Sequence, residues 1–177
     1  MQFGGSMTTT KDQILEALIR DEWPKLRRFF HTKVPGADVL DLVQATMLAF
    51  VEGRQRATGT ARSYLWGIAR FQVLKHYEKH RASTPFDSTL HTAMDMGPSL
   101  SSRLDGHTRL LRALHTLPTD HQVAFELRYG EELSLEETAA ALNVSLATVK
   151  RYLSAAETKL KAELGTLDGI AKDYVAI

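Results

Sequence analysis

The chain has 177 residues, of which 44% are hydrophobic and 24% charged, an ordinary composition for globular domains. It contains no cysteine, which excludes disulfides and cysteine-bound zinc, and no apolar run reaches the roughly 18 residues of a membrane-spanning helix. The N-terminus lacks the pattern of a secretory signal, and residues 1–6 are typical of an expression leader. We therefore expect a cytoplasmic protein without membrane insertion.

The net charge of +1 conceals a difference between the two halves of the chain. Residues 7–81 carry 13 lysines and arginines against 8 aspartates and glutamates, whereas residues 107–164 carry 7 against 8. Because basic surfaces attract phosphates, any nucleic-acid backbone contacts are expected mainly from the first half.

The first half is predicted to form three helices. The first begins near Thr10 and is bent or restarted at Pro24, since proline removes a backbone donor inside a helix. Asp38 is a candidate N-cap for the second helix. A polar loop over residues 54–60 separates it from a third helix over 61–81.

Residues 82–106 are rich in serine, threonine, proline and glycine and lack a helical period. A stretch of that length without structure is typical of a linker. We therefore predict an all-α chain with two small helical domains, 7–81 and 107–164, joined by a flexible linker. Residues 165–177 form a tail, for which fraying is the simplest expectation and docking on the second domain the alternative.

The second domain contains a predicted helix-turn-helix. Ser134 and Glu137 form a capping box that opens a short helix, and Thr119 forms a similar box at an earlier helix with Gln122. Asn143 follows the short helix, where the chain must adopt a left-handed conformation, and Ser145 caps the next helix. That spacing places the second helix in a DNA major groove.

One face of this second helix is left for DNA. Lysine and arginine reach guanine acceptors or phosphates, and a capped N-terminus favours a phosphate oxygen. The residues predicted to contact DNA are Ser145, Leu146, Ala147, Thr148, Lys150, Arg151 and Ser154. The alternative is a plain helical hairpin with a solvated Lys150–Arg151 pair.

The segment 110–160 resembles the promoter −35-binding domain of extracytoplasmic-function sigma factors, members of the sigma-70 family. The residues that carry the resemblance are Leu117-Pro118, Leu127 to Tyr129, Leu133 to Ala139, and Val144 to Lys150. Relatives often continue with arginines where this chain has Ser154 to Glu157. Fewer phosphate contacts imply weaker DNA binding by this domain.

The first half resembles the polymerase-binding and −10-facing helices of the same family, through Asp41 to Gln44, Thr46, Tyr64-Leu65 and Ile68 to Arg70. The resemblance implies two partners, promoter DNA and core RNA polymerase, contacted at the coiled coil of its largest subunit and at its flap. The polymerase-binding residues it implies are Asp38, Leu40, Asp41, Leu42, Gln44 and Leu48.

Promoter opening requires basic residues for the backbone and aromatic faces or pockets for unstacked bases. The third helix interleaves both types, and the loop before it captures a flipped −10 base in relatives. The residues assigned to −10 binding and promoter melting are Arg54, Gln55, Arg56, Thr58, Arg62, Tyr64, Trp66, Arg70, Phe71 and Lys75. For Tyr64 and Phe71, core packing is an equal alternative.

The second helix lacks two acids that relatives carry, at the positions of Leu40 and Ala45. We therefore expect weaker polymerase binding. Thr46 lies nearby, and phosphorylation by a Ser/Thr kinase would add negative charge that restores the attraction. The simpler alternative is that Thr46 is an unmodified helix residue.

Neither a metal ion, a cofactor nor catalysis is expected. His76 and His80 are four residues apart on one helix face, but the sequence offers neither HExxH nor an evident third ligand. It also lacks a phosphate loop and a nucleophile elbow.

The function predicted is that of an alternative sigma factor, which binds core polymerase, recognises −35 and −10 elements and helps melt promoter DNA. Two alternatives remain: a sigma-like mimic that binds an anti-sigma factor, and a classical helix-turn-helix regulator. The regulator would need a dimerisation or ligand domain, which residues 7–81 do not resemble. An anti-sigma factor is also a candidate partner of a true sigma factor.

Overall fold

The computed structural model describes residues 10–53, 59–83, 102–168 and 174. All regular secondary structure in those ranges is helical, which confirms the all-α prediction. The helices are α1 (Thr10–His31), α2 (Gly36–Gly53), α3 (Ala61–Ser83), α4 (Ser102–His115), α5 (Thr119–Phe125), α6 (Leu135–Leu142) and α7 (Leu146–Leu164). A π-helical turn, Glu126–Gly130, continues α5. Within these ranges, none of the helices has the length and apolar character needed to cross a bilayer.

Helices α1 to α3 form the N-terminal domain around aromatic side chains. Phe29 lies edge-on to both Phe30 and Trp66, with ring centroids 5.5 and 5.3 Å apart, a favoured geometry for buried aromatic pairs. Helix α1 runs through Pro24 without a restart. Asp38 lies in the first turn of α2 rather than at its N-cap, because that helix begins two residues earlier, at Gly36.

Helices α4 to α7 form the C-terminal domain. Helix α4 begins at Ser102, so helical structure extends into the segment predicted as linker. The predicted Thr119–Gln122 capping box is wrong: Pro118 is the N-cap and makes no side-chain hydrogen bond. The Gln122 amide is buried instead and donates to Glu126 over 2.7 Å.

The two domains pack against each other and share one hydrophobic core, with α3 crossing α6. Gly67 permits the close crossing, because a Cβ atom at that position would lie 3.2 Å from the Ala141 carbonyl oxygen. Most of the predicted linker lies outside the described residues. We call this arrangement of α1–α3 against α4–α7 the closed arrangement.

Candidate nucleic-acid interface

The helix-turn-helix forms through the local contacts that its sequence predicts. The Ser134 hydroxyl accepts from the Glu137 amide over 3.0 Å, and the Glu137 carboxylate accepts from the Ser134 amide over 3.0 Å. Asn143 has φ 54° and ψ 46°, the left-handed conformation that ends a helix. These interactions satisfy otherwise unpaired backbone groups at both ends of α6 and fix the direction of α7.

The first two turns of α7 present a basic face to solvent. The Ser145 hydroxyl accepts from the Thr148 amide over 3.2 Å and anchors the helix start. Val149 and Leu153 are buried, which turns the opposite side of the helix outward. The exposed residues of the predicted −35 set are Ser145, Ala147, Lys150, Arg151 and Ser154, with Leu146 and Thr148 half-buried.

Two arginines of α3 that were assigned to promoter DNA contact the C-terminal domain instead. Arg70 donates to Asp120 over 2.8 and 3.1 Å, and Arg62 donates to the backbone carbonyl of Glu131. Arg62 also pairs with Glu22 over 3.0 Å. In the closed arrangement the guanidinium groups of Arg62 and Arg70 are therefore engaged by protein oxygens.

The other predicted −10 residues divide by exposure. Phe71 is 60% exposed and Lys75 is exposed, so both are accessible in the closed arrangement. Tyr64 is half-buried, with its ring 6.1 Å from that of Phe50. The loop residues Arg54, Gln55, Arg56 and Thr58 lie outside the described residues.

The structure corrects the assignment of Trp66 to the DNA-binding surface. Its side chain is fully buried, and its indole N–H donates to Glu22 over 2.9 Å. A ring packed between α1 and α3 with its only donor satisfied has no face to offer a base. Glu22, which is not among the predicted site residues, also accepts a hydrogen bond from Lys25 over 2.8 Å.

Helix α2 exposes apolar side chains on the surface assigned to polymerase. Leu40 and Leu48 are 52% and 61% exposed, and Gln44 lies exposed between them at the same helical spacing. Asp41 is exposed as well, whereas Asp38 and Leu42 are half-buried. An isolated exposed leucine is ordinary, but two on one face form a candidate docking surface.

Thr46 is a second correction. The residue is fully buried, and its hydroxyl donates to the Leu42 carbonyl oxygen over 2.7 Å within α2. A kinase needs an exposed hydroxyl, so the predicted phosphorylation of this residue is wrong in the folded domain. The inward-facing position follows from its spacing to Val43 and Phe50, which are also buried.

A buried ion pair joins the two domains. Lys33 and Glu126 contact each other with both side chains fully buried. Burial lowers the pKa of Lys33, opposed by the neighbouring Glu126 carboxylate. Glu126 also accepts from Gln122 over 2.7 Å and from the Tyr174 hydroxyl over 3.3 Å, so a tail residue joins the same cluster.

A second acid at the domain junction, Glu131, is also buried. Arg28 of α1 donates to both of its carboxylate oxygens, over 2.8 and 2.9 Å. Burial nevertheless raises the pKa of Glu131 to about 7, against the opposing effect of Arg28. This carboxyl therefore titrates near neutral pH while the domains are closed.

The structure adds a third polar side chain to the two histidines that were dismissed as a metal site. Asp38 of α2 lies next to His76 and His80 of α3, with one possible ligand atom from each residue within 4.8 Å of the others. This group is not evident in the sequence because 38 positions separate Asp38 from His76.

Comparison with known proteins places both halves of the chain in one family. The family model for sigma-70 region 2 matches residues 18–83, and the model for sigma-70 region 4 matches residues 107–160. An RNA polymerase sigma-E factor from Streptomyces antibioticus is 42% identical over 155 residues, 86% of each chain. The sigma factor HrpL from Pseudomonas syringae pv. syringae is 27% identical over 159 residues, 85% of this chain and 86% of its own.

A solved structure has the same fold. It is the sigma factor RpoE of Bartonella quintana in complex with the anti-sigma factor NepR, with a TM-score of 0.67 and 21% identity. The match covers 88% of this chain and 99% of that chain.

Proposed function

The chain belongs to the extracytoplasmic-function sigma factors of the sigma-70 family, and we propose that it binds core RNA polymerase and directs it to promoters with −35 and −10 elements. The observation that carries this proposal is the pair of exposed basic residues in the first turns of α7. This helix is the second of a helix-turn-helix in which both helices are capped. Lys150 and Arg151 stand there on a rigid helix, as base-reading side chains require.

Polymerase binding is assigned to the outer face of α2. Its apolar members, Leu40 and Leu48, supply contact area, while Asp41 faces a basic partner. The absence of acids at Leu40 and Ala45 gives the apolar contacts a larger share of the affinity than they have in typical relatives. The coiled coil of the largest polymerase subunit is the proposed partner for this face.

The −10 function requires the domains to separate. Arg62 and Arg70 are paired with oxygens of the C-terminal domain, and α6 covers part of α3. Promoter DNA competes with the Glu131 carbonyl oxygen and the Asp120 carboxylate for these guanidinium groups. We therefore propose that binding to polymerase stabilises an open arrangement in which α3 is released to the −10 element.

Run-off transcription with purified core polymerase tests this function. Wild-type chain should give promoter-dependent transcripts from a pool of genomic DNA, which core polymerase alone should not. A sigma mimic would bind polymerase or an anti-sigma factor without giving any transcript, and a classical regulator would bind DNA without polymerase. Either result would replace the proposed function.

An anti-sigma factor is the proposed regulatory partner, since the similar RpoE structure contains one. Such a protein would bind the closed arrangement and hold the two domains together. Addition of the purified anti-sigma factor, once identified, should then abolish run-off transcription. The basic face of α7 should remain exposed in that complex.

A further inference from the structure

Three side chains that metal ions favour converge where the start of α2 meets the end of α3. The Asp38 carboxylate is 4.0 Å from His76 Nε2, and the rings of His76 and His80 lie 4.0 Å apart between centroids. At 4.0 Å, the carboxylate and the imidazole are too far apart for a hydrogen bond. Among the residues described, this is the one group of three such side chains close enough to hold an ion.

The hydrogen bonding and protonation of the histidines suit metal ligation. His80 Nδ1 lies 2.9 Å from the His76 backbone carbonyl oxygen, an acceptor, so this nitrogen carries the proton and Nε2 carries the lone pair. A backbone carbonyl that fixes the tautomer is the usual outer partner of a metal-binding histidine.

We propose that Asp38, His76 and His80 bind one divalent transition-metal ion, for which Zn²⁺ is the best fit. Two imidazoles and one carboxylate are zinc ligands, and water completes the tetrahedron. With metal–ligand distances of about 2.0–2.2 Å, ligand atoms around a tetrahedral ion lie about 3.4 Å apart. Side-chain rotation closes the difference from the observed spacing, because His80 is exposed and Asp38 lies on the domain surface.

The bound ion would connect α2 to α3 near the surface assigned to polymerase. Asp38 belongs to the set assigned to polymerase binding, so metal coordination withdraws its carboxylate from that partner. The loss of the Asp38 carboxylate from polymerase binding depends on the proposed function, whereas metal binding itself does not. The two are separated by measuring metal binding on the purified chain in the absence of polymerase.

The experiment is a calorimetric titration of Zn²⁺ into chelator-treated chain that carries no histidine tag. We expect one equivalent to bind, with at least tenfold weaker binding in His76→Ala, His80→Ala and the nearly isosteric Asp38→Asn. Glu52→Gln and His121→Ala are matched controls, an exposed acid of α2 and a half-buried histidine outside the cluster, and both should bind Zn²⁺ like wild type. Circular dichroism confirms that each variant is folded.

Cobalt provides a second readout. Co²⁺ in a four-coordinate site absorbs visible light strongly, so the wild-type complex should be coloured and the Asp38→Asn complex should be much weaker in absorbance. Two results would overturn the proposal: wild-type chain that binds no stoichiometric ion, or a His76→Ala/His80→Ala double variant that binds it as tightly as wild type.

Discussion

The substitution Lys33→Met should open the two domains. Lys33 and Glu126 are fully buried across the domain junction, so removing the ammonium leaves a carboxylate buried without its cation. Loss of one partner from a buried pair costs about 3–5 kcal/mol. Because the Glu126 carboxylate regains water when the domains separate, this cost falls on the closed arrangement and shifts the equilibrium about a hundredfold or more toward the open one.

The local contacts around Lys33 indicate that the effect arises mainly from this pair. Its ammonium also donates to the Phe29 carbonyl and the Thr32 hydroxyl, but that carbonyl keeps the Thr32 hydroxyl as a donor. Methionine fills a similar volume, so the junction acquires no large cavity. The double variant Lys33→Met/Glu126→Gln removes the unpaired charge and keeps an acceptor for Gln122, and it should therefore recover most of the closure.

Energy transfer between two dyes measures the separation of the domains. The chain has no cysteine, so Arg27→Cys on α1 and Thr158→Cys on α7, both at exposed positions, accept labels at defined sites. We expect lower transfer efficiency in Lys33→Met than in wild type, and recovery in the double variant, at unchanged helix content. Unchanged transfer in Lys33→Met, or a double variant as open as the single one, would refute the assignment of the ion pair as a closing contact.

Three other sets of substitutions test the DNA-binding surface, the polymerase-binding surface and the pH dependence of closure. Lys150→Ala with Arg151→Ala should abolish promoter-specific run-off transcription while core polymerase still co-elutes with the chain, since both side chains are exposed on α7. Leu48→Asp should weaken core polymerase binding by about tenfold in a titration and leave the melting temperature unchanged, because the side chain is 61% exposed. The pKa of Glu131 is raised to about 7 in the closed arrangement. The contribution of this carboxyl to closure is therefore complete below about pH 4.5 and is lost as pH rises through 7. Glu131→Gln should flatten the pH dependence of energy transfer over this range.

The sequence predicted the helix-turn-helix almost completely, because the atoms that define it are close in sequence. The capping box joins residues three positions apart, and the turn at Asn143 depends on that residue's own tolerance of positive φ. The exposed face of α7 followed directly from the position of its cap. Helix ends were predicted less well where a buried neighbour took the capping side chain, as Glu126 did with Gln122.

The −10 surface was predicted less accurately than the helix-turn-helix, because aromatic residues serve both core packing and base stacking. Trp66 and Phe71 both lie on α3 and both suit base stacking, but one is fully buried and the other is 60% exposed. The burial of Trp66 depends on Glu22, 44 positions earlier, which accepts the indole N–H. Helical periodicity shows which face of a helix is the more hydrophobic. It cannot identify a carboxylate, distant in sequence, that accepts a hydrogen bond from a buried donor and so offsets the cost of burying it.

Three of the acids that give the C-terminal domain its near-neutral charge make contacts between the domains. Of its acidic side chains, Asp120, Glu126 and Glu131 pair with Arg70, Lys33 and Arg28 of the N-terminal domain. On an open C-terminal domain the same carboxylates would repel DNA phosphates and reduce its affinity for the −35 element.

We therefore expect low DNA affinity of the C-terminal domain and closure of the free chain to be two effects of one set of acids. We expect a chain with these acids to have little tendency to occupy promoters alone, because its recognition helix would bind weakly and both Arg62 and Arg70 are engaged by protein oxygens. On the proposed function, core polymerase would remove both restrictions by separating the domains and presenting them to DNA together. The binding of two weak elements on one scaffold would then supply the affinity that neither domain has in isolation.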